Sequence, residues 1–154
     1  MSTAQAVTEY APAKVNLSLH VSSPKDNGRH DLHSLVVFAD KGASDQLKAE
    51  AAAHFSLAVS GPFAGESGYA RDNLVLKASR ALNAAMGESL PAQAFQLTKT
   101  LPCAAGIGGG SADAGAALRI LVKAHGGKEA EAQATAIAPS LGGDVLACFY
   151  SLPG

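Results

Sequence analysis

Four of the five residues from 106 to 110 are glycines: Gly106, Gly108, Gly109 and Gly110, with Ile107 between them and Ser111 following. Glycine reaches positive φ at little cost and lets a backbone approach a ligand closely. Successive amides in such a loop form a concave nest for an anion. A helix beginning at its end adds unpaired N–H groups and a partial positive charge. The chemistry these residues offer is a grip on phosphate.

Two common phosphate templates do not fit. A G-x-x-x-x-G-K-[ST] loop would need a glycine where Ser111 stands, and a lysine after it. A G-x-G-x-x-G fingerprint opens on Gly106 and Gly108 but meets Ser111 in place of its third glycine. A flexible linker is the remaining plain reading. Against it stand the elements on either side, which are what a phosphate loop needs to hold it. Residues 94–100 alternate Phe95 and Leu97 with polar neighbours and read as a strand. Residues 111–123 carry an alanine-rich helical pattern through Leu118, Leu121 and Val122. Ser111 is then an N-cap, or a hydroxyl turned to a phosphate or to Mg²⁺. Asp113 suits the first turn of that helix. Next to phosphates it would repel them unless a cation intervened, so it is structural or metal-linked.

Two further stretches carry polar residues at telling places. Over residues 8–21, Val15, Leu17, Leu19 and Val21 alternate with Lys14, Asn16, Ser18 and His20. Period two predicts one strand with Lys14 and Asn16 on the same face, a solvated edge or a site. Residues 22–31 are rich in turn formers and include His30. Near the end, Gly142 and Gly143 precede Asp144, and the apolar run from Val145 to Phe149 reads as a short strand after a turn.

The remaining elements are predicted as strands at 32–40, 45–50 and 54–60, a helix at 74–86 and a weaker helix at 129–138 ending near Pro139. Asn73 is placed to cap the first helix and Gly87 to end it. A chain of 154 residues with 47% hydrophobic content can bury one ordinary core. A net charge of −1 with no basic run argues against nucleic acid and anionic membranes as partners. Residues 1–9 show no secretory signal, and no apolar run reaches bilayer length. Cys103 and Cys148 form neither a disulfide framework nor a zinc pattern and read as packing residues in a reducing cytoplasm.

The string from Pro102 to Ala117 resembles the ATP-binding motif of the GHMP kinases, the family of galactokinase, homoserine, mevalonate and phosphomevalonate kinases. Its form Ala-Ala-Gly-Ile-Gly-Gly-Gly-Ser-Ala-Asp-Ala is most similar to the diphosphocytidyl-methylerythritol kinase branch of the non-mevalonate isoprenoid pathway. Ala11-Pro12-Ala13-Lys14-Val15-Asn16-Leu17 is similar to the N-terminal motif of that branch. Leu141-Gly142-Gly143-Asp144-Val145 resembles its Leu-Gly-Ala-Asp-Val-Pro string, with Gly143 for the alanine and Leu146 for the proline. Gly28 and His30 match its Asp-Gly-Tyr-His turn, while Asn27 and Arg29 depart from it.

The resemblance implies an α+β fold, the GHMP kinase N-terminal domain, similar to the second domain of ribosomal protein S5, with a mixed sheet and helices on one face. It implies ATP held by Pro102, Cys103, Ala104, Ala105, Gly106, Ile107, Gly108, Gly109, Gly110, Ser111 and Ala112, with Mg²⁺ alongside and Ser111 as a candidate ligand. It implies Lys14 and Asp144 as catalytic residues, Asp144 as the base, and Asn16 and His30 against the substrate. That substrate would be the small molecule 4-diphosphocytidyl-2-C-methyl-D-erythritol, phosphorylated on its 2-hydroxyl in the cytoplasm. Kinases of this kind are roughly twice as long, so residues 1–154 are expected to be the N-terminal domain without its C-terminal partner, exposing an apolar interface and prone to self-association. Rival readings are another small-alcohol kinase of the family, a nucleotide-binding remnant without catalysis, and, disfavoured by charge, an RNA-binding domain.

Overall fold

The computed structural model describes residues 5–28, 32–103 and 106–151. The first hydrophobic alternation divides between two sheets. Strand β1 (Val7–Pro12) pairs antiparallel with β4 (Ser44–Ala51), whereas β2 (Lys14–Val21) pairs antiparallel with β3 (Leu32–Phe38). The single strand read over 8–21 is therefore two, broken at Ala13. The period continues across the break, so only the change of partner reveals it. Strand β4 also pairs antiparallel with β6 (Gln93–Thr98), and β5 (Ser56–Ser60) runs parallel to β6. The result is a mixed four-stranded sheet in the order β1-β4-β6-β5 and a separate β2-β3 ribbon.

Each core-facing strand buries alternate residues. Leu47 and Ala49 on β4, and Phe95 and Leu97 on β6, point into one core, while Lys48 and Gln96 between them are exposed. Helices cover that inner face. α1 (Leu74–Ala85) links the parallel pair and buries Val75, Ala78 and Leu82, at helical spacing. Asn73 caps it as read, accepting a hydrogen bond from Val75 N, and Gly87 beyond its end has φ 66°.

α2 (Gly109–His125) is the central helix, packed against the sheet and against α1, α3 (Lys128–Leu141) and α4 (Val145–Phe149). Ala112, Ala114, Ala116, Ala117, Leu118, Ile120 and Leu121 are all buried, so it has core on nearly every side. Its small residues let neighbours come close. A Cβ added to Gly115 would lie 2.7 Å from the Cys148 carbonyl and 2.8 Å from Phe149 N. Gly115→Ala therefore has to push α4 away from α2. It should cost about 1–3 kcal/mol and lower the melting temperature by roughly 3–10 °C. A thermal melt matching the parent's would contradict this packing.

The run from Val145 to Phe149 is helix α4 rather than the strand expected. Short apolar runs fit either element, and here Val145, Cys148 and Phe149 are buried at helical spacing, with α2 against them.

Candidate functional site

The glycine loop opens directly into α2. Gly106 has φ 72° and Gly108 has φ 66°, both in the left-handed region that glycine favours. Gly108, not Ser111, is the N-cap. The helix begins earlier than the sequence pattern indicated because glycines hide its first turn from any hydrophobic periodicity. Ser111 thus sits inside the first turn. The first intrahelical bond runs from Ala112 N to Gly108 O, so the amides of Gly109, Gly110 and Ser111 have no acceptor within the helix. They are the donors an anion would meet.

Lys14 lies against this loop. Its backbone N donates to Ile107 O at 2.8 Å, and its Cε would be 3.3 Å from a Cβ on Gly108. A side chain at position 108 would crowd the lysine. Lys14 is 4% exposed, so the solvated-edge reading fails. Its ammonium is 2.9 Å from Asp144 Oδ1 and donates to Asn16 Oδ1 at 3.3 Å. Strand geometry places Asn16 beside it, since residues two apart share a face. Asp144 arrives from the other end of the chain, at the N-terminus of α4, with its side chain 48% exposed.

These groups line a cavity of about 350 Å³ formed by Lys14, Asn16, Ser34, Val36, Gly143, Asp144 and Ala147. Ser34, Val36 and Ala147 are additions that no sequence pattern marked. Ser34 comes from β3, opposite Leu19 in the register, and its hydroxyl lies 3.0 Å from Asn16 Oδ1 and 2.8 Å from Ser18 O. Because the Lys14 ammonium can only donate, the Asn16 oxygen faces it and the amide NH₂ is turned elsewhere.

A second cavity, of about 190 Å³, borders the loop. Glu66, Ser67, Asp72, Asn73, Leu74, Lys99, Cys103, Gly110 and Asp113 line it. Cys103 N donates to Glu66 Oε2 at 3.0 Å. Gly110 faces this cavity, whereas Lys14, packed against Gly108, faces the first. The loop borders the smaller cavity through Gly110 and meets the larger one only through Lys14, which packs on Gly108.

Asp113 is tied into the fold by an ion pair. It is the fifth helical residue, beyond the first turn, and its Oδ2 pairs with Lys99 Nζ at 2.9 Å. Lys99 also pairs with Asp45 Oδ2 at 2.5 Å. All three side chains are nearly inaccessible. Burial pushes the Asp113 carboxyl well above the usual carboxylate range, and the neighbouring Asp45 adds to this. Burial opposes the Lys99 charge, but Asp113 and Asp45 outweigh it and raise its pKa. Neither Asp45 nor Lys99 belongs to a local motif, so this cluster has no signal in one sequence.

Cys148 packs behind the first cavity. Burial, with Asp144 as the next contributor, pushes its thiol up to about 11, so it stays protonated as a packing residue. Among the described residues no group of three or more His, Cys, Asp or Glu is arranged to hold a metal ion, and no helix is long and apolar enough to cross a membrane. His30, Ala104 and Ala105 lie outside the described residues.

Comparison with known proteins adds three findings. Residues 73–151 match the family described as GHMP kinases N terminal domain. The chain is similar to the 4-diphosphocytidyl-2-C-methyl-D-erythritol kinases of Hyphomonas neptunium, at 56% identity over 99% of this chain and 51% of that protein, and of Ruegeria pomeroyi, at 46% identity over 96% and 50%. It therefore spans about half the length of these curated relatives. A crystal structure of 4-(cytidine 5'-diphospho)-2C-methyl-D-erythritol kinase superposes with a TM-score of 0.70 at 32% identity, over 93% of this chain and 48% of that one. Homoserine kinase from Cytophaga hutchinsonii shares the fold, with a TM-score of 0.63 at 17% identity over 98% of this chain and 44% of that one.

Proposed function

We propose, because the chain belongs to the GHMP kinase family, that its residues form the ATP-binding, N-terminal part of a kinase that phosphorylates the 2-hydroxyl of 4-diphosphocytidyl-2-C-methyl-D-erythritol. The observation that carries this reading is the Lys14–Asp144 pair, at 2.9 Å, in a cavity whose Lys14 also packs on the glycine loop at Ile107 and Gly108. Phosphoryl transfer asks little covalent chemistry of a protein; it asks for positioning and for charge placed where charge develops. The loop from Pro102 to Ala112 would hold the ATP phosphates on the free amides of Gly109, Gly110 and Ser111. The hollow beyond Gly110 has room for part of the nucleoside.

The acceptor alcohol would enter the other hollow. There the Asp144 carboxylate takes the hydroxyl proton, or orients the hydroxyl for in-line attack. The Lys14 ammonium favours the anionic oxygen and so lowers the pKa of the alcohol. Asn16 presents its NH₂ to the substrate, and His30, on the family motif, is the second substrate contact. Magnesium in such sites takes phosphate oxygens and keeps several waters, so it does not need a protein cage. When bound with ATP it neutralises phosphate charge, and the Ser111 hydroxyl is the candidate donor to it. Asp113 Oδ2 is already engaged by Lys99.

The β2-β3 ribbon leaves Val15, Leu17, Leu35 and Val37 between 42% and 60% exposed, which supports self-association through that face. A cytoplasmic place and small-molecule chemistry, without nucleic acid or membrane, complete the reading. The test is transfer of labelled γ-phosphate to a panel of alcohols. 4-Diphosphocytidyl-2-C-methyl-D-erythritol should be labelled, and homoserine and mevalonate should not. Labelling of another alcohol instead would move the protein to a different branch of the family. ATP binding with no transfer to any would leave only a nucleotide-binding domain.

A further inference from the structure

The buried cluster behind the glycine loop borders the smaller cavity through Lys99 and Asp113, but its charges take part in none of the steps above. Lys99 lies just before the loop, at the end of β6, and Asp113 lies just after it, on α2, yet their side chains meet at 2.9 Å. Asp45, from β4, fixes the strand side. Its Oδ2 takes the Lys99 ammonium, and its Oδ1 accepts from Thr100 N at 2.7 Å and Leu101 N at 2.8 Å. The ammonium also sits beneath the first turn of α2, 3.4 Å from where a Cβ on Gly109 would be.

One reading of Lys99 is that it attracts phosphate itself, as the lysine of a P-loop does. Charge and burial oppose this. Two carboxylates face one ammonium, and Lys99 is 1% exposed. A cluster with no surplus positive charge has nothing to offer an anion at range. What it does offer is a cross-tie between the two ends of the loop. We propose that Asp45, Lys99 and Asp113 act as a buried clamp that sets the mouth of the glycine loop, with Asp113 as the positioning residue that brings the first turn of α2 to the phosphates. This rests on the ATP reading above.

The three members should differ in a way that a plain stabilising cluster would not. Asp45 meets three donors, whereas Asp113 meets only Lys99, and its Oδ1 is the buried side-chain atom without a partner among the described residues. Removing Asp113 leaves Lys99 still paired with Asp45. The fold loses little, but the tie across the loop is gone. Asparagine at the same place keeps an oxygen for the ammonium and keeps the tie.

The experiment measures MgATP and adenosine binding by calorimetry for the parent, Asp113→Ala and Asp113→Asn, with a thermal melt of each. A loop whose mouth has shifted by a fraction of an ångström to an ångström misplaces its amides, which costs about tenfold to a hundredfold. Asp113→Ala should lose that much ATP affinity, lose clearly less adenosine affinity although Asp113 borders the smaller cavity, and still melt cooperatively. Asp113→Asn should bind ATP like the parent. The clamp is overturned if Asp113→Ala binds ATP normally, loses both ligands equally or does not fold, or if asparagine fails to rescue. A parent that binds neither ligand would count against the ATP reading. Amide exchange at Gly109 and Gly110 then decides the clamp alone: faster in Asp113→Ala supports it, and unchanged overturns it.

Discussion

Alanine in place of Lys14 or of Asp144 is expected to lower turnover at least about a hundredfold, because each removes one charge aimed at the reacting oxygens, worth roughly 3–4 kcal/mol of barrier. The two losses should not add in the double variant, since the residues form one pair at 2.9 Å. Instability is a weak explanation for the Asp144 effect. Its side chain is 48% exposed, so the ion pair itself contributes under about 1 kcal/mol to the fold. Lys14 is more enclosed, and its stem packs against Gly108, so Lys14→Met, which keeps the stem and drops the charge, is the better partner variant. Steady-state kinetics with a melt of each variant checks this. Full activity in either would remove that residue from its role.

The second large effect lies away from the site, at Arg119. Its guanidinium is 9% exposed and gathers four acceptors. Nε donates to Glu9 Oε2 at 3.0 Å, Nη1 to the Cys148 and Phe149 carbonyls at 2.7 and 3.2 Å, and Nη2 to the Tyr10 carbonyl at 2.7 Å. These bonds satisfy carbonyls within β1 and in the last turn of α4, and α4 carries Asp144 at its start. Arg119→Met takes its donors from the Tyr10 and Phe149 carbonyls, while the Cys148 carbonyl keeps Ser151, and it leaves Glu9, 12% exposed, with the more exposed Lys123 as its remaining ion-pair partner among the described residues. Breaking a buried pair in this way costs about 3–5 kcal/mol, a large share of a typical total of about 5–15 kcal/mol. The melting temperature should fall by roughly 6–20 °C. Lysine should recover only part of it, having no planar fork to span the acceptors. An Arg119→Met protein that melts with the parent would show that α4 is held by packing alone.

Legibility in the sequence followed locality. The strand before the glycine loop, the helix after it, the Asn73 cap and the Gly87 stop are written in residues a few positions apart, and each was read at its place. The family motifs placed Lys14, Asn16 and Asp144, and the fold brings all three to one cavity. What sequence reading missed depends on contacts between distant segments. The strand break at Ala13 is invisible because the alternation runs straight through it, while the pairing partner changes from β4 to β3. The helix from Val145 to Phe149 was taken for a strand because five apolar residues carry no period of their own, and Arg119, on α2, supplies the bonds at its end. Asp45 and Lys99 stood in strands with no motif around them. Ser111 reads as the N-cap, three positions past the true one at Gly108, because glycine is silent in a hydrophobic pattern.

The central claim is that the loop at Gly106–Gly110 holds the phosphates of ATP while Lys14 and Asp144 wait beside it. The measurement that reaches it most directly is a titration of the isotope-labelled protein with MgATP, read by amide NMR and repeated with adenosine. ATP should shift the amide signals of Gly108, Gly109, Gly110 and Ser111 strongly, and adenosine should leave them in place. An ATP titration that moves other residues and spares these four would contradict the account.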